Sequence, residues 1–199
     1  MFRKRLILGL IAATCMGGCA SGPGDVSSSS LEVRSLGLTR VVLRVPSTTT
    51  CCMATNLNSG DLWLTDIPLE DLYAGTVDTG QVMHLELLWL PRAGNTPIDA
   101  TATNVAIRHV VFANGEVGLY AGGGFGWPHG SPDTALRLSM EQATIALKAS
   151  TPGFEDLLSP ATMSGSIGGT ADPELAARIS AAVDKLVSKA IESPTIVRR

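Results

Sequence analysis

Residues 104–121 read NVAIRHVVFANGEVGLYA, two apolar-rich runs joined by Asn114 and Gly115. Asn-Gly accepts the positive φ angles that a type I′ turn requires, and a two-residue loop of that type joins antiparallel strands. The pairing follows by counting outward from the turn. Ala113 faces Glu116, Phe112 faces Val117, Val111 faces Gly118, Val110 faces Leu119, His109 faces Tyr120 and Arg108 faces Ala121. Alternate pairs share a face, so Phe112, Val117, Val110 and Leu119 form the expected core face. His109 and Tyr120 fall on the opposite side.

The same period of two extends away from this hairpin. In 38–45, Thr39, Val41, Leu43 and Val45 form a buried set against Leu38, Arg40, Val42 and Arg44. In 82–90, Met83, Leu85, Leu87 and Trp89 point inward, leaving His84 and Glu86 on the other face. Further strands are expected over 61–65, 143–149 and 161–167, with Pro, Gly, Asn or Ser between successive runs. Two helices are expected. One is a short turn at 68–73. The other is long, opened by Asp172 as N-cap and Pro173 at its first position. Leu175, Ile179, Ala182, Val183, Leu186, Ala190 and Ile191 give this second helix an apolar stripe, and Pro194 ends it. The expected fold class is α+β: a single domain, mainly an antiparallel β-sheet of hairpins and meanders, with the long C-terminal amphipathic helix packed on it. A β-sandwich or half-barrel with a terminal helix is the alternative.

The N-terminus reads differently. Arg3, Lys4 and Arg5 precede an apolar run from Leu6 to Ala13, the charged and apolar regions of an export signal. That run is too short to span a bilayer, which takes ~20 residues. Met16, Gly17, Gly18 and Cys19 follow, and they resemble the lipobox of bacterial lipoproteins, in which small residues precede a cysteine that is lipidated and becomes the first residue of the mature chain. The resemblance covers only this segment. It implies a signal peptide over 1–18, lipid attachment at Cys19, and membrane association through that anchor. Ala20, standing where an acidic residue would imply inner-membrane retention, implies an outer-membrane address facing the periplasm. Residues 20–30, ASGPGDVSSSS, read as a flexible tether. The globular domain is expected over 31–193 and a C-terminal tail over 194–199.

Loss of the signal removes three basic residues, leaving 12 Lys and Arg against 18 Asp and Glu, a net charge of −6. Nucleic acid is disfavoured as a partner. The sequence contains no Gly-x-Ser-x-Gly elbow, no His-Glu-x-x-His helix, no Cys-x-x-Cys pair and no phosphate loop, and no cofactor is expected.

Three groups of residues carry chemistry. His84, Glu86 and His109 would match a zinc-type ligand set if their strands paired in the right register; half-exposed sheet polarity is the plainer account. The run from Gly122 to Gly130 holds Phe125, Trp127 and His129, as a loop that closes on a ligand or partner or as a plug for one end of the sheet. Cys51 and Cys52 are adjacent, and a vicinal disulfide between them is strained but chemically feasible. Three functions follow. The first is a non-catalytic envelope lipoprotein that binds an envelope protein or serves structure; the others are a carrier of an apolar ligand or lipid and a metal-dependent hydrolase.

Overall fold

The computed structural model describes residues 30–91 and 102–191. The signal, Cys19, the tether up to residue 29 and the tail lie outside them. The described chain runs β1 (Ser30–Ser35), β2 (Val42–Val45), β3 (Thr49–Asn56), β4 (Ser59–Thr65), α1 (Leu69–Ala74), β5 (Gly80–Leu87), β6 (Val105–Ala113), β7 (Glu116–Gly124), β8 (Gly126–Ser131), β9 (Ala135–Ser150), β10 (Ala161–Ala171) and α2 (Pro173–Ile191).

These strands form one sheet in the order β2-β1-β10-β3-β4-β5-β6-β7-β9-β8. It is antiparallel except at β10 and β3, where Thr170 and Ala171 run parallel to Cys51 and Cys52. β9 and β10 pair as well, so the succession β3 to β7, β9 and β10 returns to its start. β10 occupies one edge of β9, which leaves β8 and β7 to share the other, along 135–140 and 144–150. The expected hairpin register holds at every pair, and Asn114 and Gly115 both take positive φ, 53° and 78°.

Two hydrophobic clusters share these strands. Inside the ring lie Leu62, Leu64, Met83, Leu85, Ile107, Leu138 and Met163, among others. On the outer face, Trp63, Val82, Val110, Phe112 and Val117 pack with Leu72 of α1 and with Ala176, Ile179, Val183 and Val187 of α2. The face expected to hold the core is therefore buried, beneath α2. The opposite face, expected to be more polar, is the ring interior, where His109 and Tyr120 are 0% and 1% exposed. Coverage on both sides turns the period of two into a division between two cores.

α2 begins as its sequence requires, with the Leu175 amide donating to Asp172 Oδ1 at 2.9 Å and Pro173 as its first residue. Among the described residues no helix is long and apolar enough to cross a membrane. β1, β3, β8 and the first half of β9 were not expected from periodicity, and the strand expected over 38–45 contracts to β2. Every residue of both clusters lies after Ser30, so a chain starting at Ala20 keeps both cores.

Candidate functional site

The proposed metal set is not brought together. β5 and β6 do pair, but their register sets His84 opposite Arg108 and His109 opposite Met83. The two histidines therefore lie on opposite faces of the sheet, because neighbours along a strand alternate. Glu86 shares the outer face with His84 but stands exposed, opposite Asp61 and Ala106. Among the described residues no three His, Cys, Asp or Glu side chains gather where they would hold a metal ion.

What His84 meets instead is Asp61, whose Oδ1 lies 2.6 Å from His84 Nε2. Thr55 Oγ1 donates to the other carboxylate oxygen at 2.7 Å, and Trp63 stacks on the imidazole at 4.0 Å and 9°. Burial alone would raise the Asp61 carboxyl, but the hydrogen bonds from His84 and Thr55 outweigh it and hold it below the usual carboxylate value. No local pattern points to Asp61 as a partner, since α1 separates the two strands and hides their register.

His109 occupies the interior. Its Nε2 lies 2.9 Å from Gln81 Oε1. The Gln81 amide nitrogen donates to Arg44 O and Asp66 Oδ2, both at 3.3 Å, which fixes which way the carboxamide points. His109 Nε2 therefore carries the proton, and its Nδ1, an acceptor, has no partner among the described residues. Burial pushes this imidazole down to about 4, so it is neutral at physiological pH.

Cys51 and Cys52 are both free. Strand alternation explains why: Cys51 lies in the outer cluster and Cys52 in the inner one. Burial raises both thiols, Cys51 to about 12. The glycine-rich run is not an open loop. Its first residues complete β7, and 126–131 pair with β9 as β8. A Cβ at Gly122 would lie 1.9 Å from the Thr144 carbonyl oxygen, so glycine serves the close passage of β9. Trp127 is 42% exposed and meets Phe125 edge-on at 4.8 Å, and Phe125 meets Trp89 at 6.0 Å. His129 pairs in register with Arg137.

A larger cavity with apolar walls lies elsewhere, at the Asn114 end of the ring, with a volume of about 390 Å³. Val41 and Leu43 wall one side, Val111 and Ala113 of β6 and Tyr120 of β7 another, and Phe154, Leu157 and Leu158 close it from the connection between β9 and β10. Asp156 holds that connection in shape. Its Oδ1 accepts from Tyr120 Oη at 3.0 Å and from the amides of Leu158 and Ser159 at 3.1 and 3.0 Å. The Thr151 amide donates to Val117 O at 2.9 Å, and the Val117 amide donates to Thr151 Oγ1 at 2.9 Å. Gly118 makes room for the Phe154 ring, which a Cβ there would strike at 2.2 Å. Leu157, which lines the cavity, stands exposed. Residues 151–160 carry no periodic pattern, so nothing in the sequence pointed to this site.

Comparison with known proteins returns no matching family model, no matching curated protein and no matching solved structure.

Proposed function

We propose that this chain is a lipid-anchored cell-envelope protein whose domain binds rather than catalyses, holding an apolar ligand in the cavity at the Asn114 end of the ring. The observation that carries the reading is that cavity, at about 390 Å³ and walled by aliphatic and aromatic side chains. Sites for small ligands run from about 300 to 1,000 Å³ and are mainly apolar, with a few placed polar groups. In this reading the ligand sits within the ring's open end and not between the sheet and α2. That placement favours the half-barrel description over the sandwich. Anchoring at Cys19 and the outer-membrane address belong to the same proposal and rest on the lipobox resemblance.

The test is native mass spectrometry of the chain from Ala20 to Arg199 after incubation with an envelope lipid extract. The expected result is a stoichiometric adduct of lipid size, lost in Ala113→Trp, which fills the cavity from the end of β6. A bare protein mass, or an adduct that survives Ala113→Trp undiminished in a variant with wild-type circular dichroism, sinks the reading.

A further inference from the structure

We infer that the ligand of this cavity is an apolar body bearing a positive charge, an alkyl- or arylammonium, in preference to a fatty acid or an anionic lipid. The inference rests on the reading of the cavity as a ligand site. Among the described residues, the charged ones that line it are Glu116 and Glu155, and no lysine, arginine or histidine lines it. Neither glutamate makes a hydrogen bond or ion pair among the described residues, whereas the nearby Asp156 is already engaged by Tyr120 and two amides.

Glu116 is placed by packing. The space a Cβ would fill at Gly153 is occupied by its carboxylate, with Oε1 2.5 Å from that position, so the acid lies along the backbone that closes the cavity. Arg44, the nearest cation on β2, alternates to the face opposite Leu43 and is exposed. Two aromatic rings complete the setting, Tyr120 and Phe154, edge to face at 6.2 Å. Ring faces attract cations, and carboxylates beside them add to that attraction. An anionic head at the same mouth meets two like charges and, among the described lining residues, no compensating one.

The test compares decylammonium, decanol and decanoate, equal in chain length and each below its micelle concentration, by displacement of an environment-sensitive dye from the chain spanning Ala20 to Arg199. At neutral pH and low salt, decylammonium is expected to bind about tenfold more tightly than decanol, and decanoate more weakly than either. In Glu116→Gln/Glu155→Gln the ammonium is expected to fall to the affinity of the alcohol while the alcohol is unchanged. In the unaltered protein, added salt is expected to shrink the same preference, which covers a variant that fails to fold. Decanoate binding as well as decylammonium, or an ammonium preference that survives both substitutions, overturns the charge inference and leaves the cavity a site. Binding of none of the three overturns the site itself.

Discussion

His84 and His109 stand one register step apart on paired strands, yet they occupy unlike surroundings. The outer one keeps 20% of its side chain in solvent, lies flat on Trp63 and shares a short hydrogen bond with Asp61. The inner one is wholly buried, bonds to a neutral carboxamide and carries a ring nitrogen without a partner among the described residues. The outer face is a layer between a sheet and a helix, whose polar rim reaches water. The inner face is closed by the far wall of the ring. One strand thus serves two cores with different tolerance for charge, and a ligand set spread over both faces is ruled out by geometry.

The largest expected difference concerns packing. Leu85 fills the ring, whereas Ile179 lies on the face of α2 that packs against the sheet, and both are buried. Truncating either to alanine should cost about 2 to 5 kcal/mol, depending on how far the surroundings collapse into the space. A ring of hydrogen-bonded strands cannot contract around one missing side chain, while a helix can shift toward its sheet. Leu85→Ala is therefore expected near the upper end of that range and Ile179→Ala near the lower, measured by urea unfolding. The reverse order would mean that the helix layer is the more rigid of the two.

The second difference is in response to acid. Folded His109 takes up a proton only near 4, while an unfolded histidine does so near 6.5. Between those values the unfolded chain binds more protons, so stability falls as pH drops through 6.5 toward 4. Linkage gives a loss of about 2 kcal/mol on going from roughly pH 7.5 to roughly pH 5. Asp61 works in a lower window: its carboxyl is held below the usual value, so its share of stability is lost as pH falls from the usual carboxylate value through that lower one. In His109→Leu the slope above about pH 5 should largely disappear, although the variant is weaker at neutral pH for leaving Gln81 Oε1 unpaired. An unchanged slope in His109→Leu would show that another group carries it.

How much of this was legible in the sequence depended on range. The hairpin at Asn114 and Gly115 was readable because its register is set by two adjacent residues, and α2 because Asp172, Pro173 and its stripe are all local. The faces of β6 were separated correctly, but their environments were not, since alternation says which residues share a side and not what covers it. His84 and His109 were set together because loop residues between β5 and β6 leave register undetermined by one step. β8 was hidden by glycines, which signal a loop by composition but here admit the close passage of β9. The cavity depends on Asp156 reaching Tyr120 across 36 positions of chain, and no local pattern announces that contact.

The smallest expected effect lies on the outer face itself, and it separates two pairs that share one patch. Arg108 donates to Asp184 of α2 at 2.5 Å, one strand over from His84, and the two side chains are 30% and 56% exposed. Asp61 and His84 are at 10% and 20%. Exposed pairs gain little, because water screens the attraction and ordering long side chains costs entropy. A double-mutant cycle with Arg108→Met and Asp184→Asn should return a coupling below about 1 kcal/mol, fading at about 1 M salt. The corresponding cycle with Asp61→Asn and His84→Ala should return a larger coupling that survives the salt, since that pair is less open to water. Equal couplings would mean that the outer patch is uniformly dry and that α2 is held in part by charge; the expected inequality assigns its attachment to the apolar stripe of Ile179, Val183 and Val187.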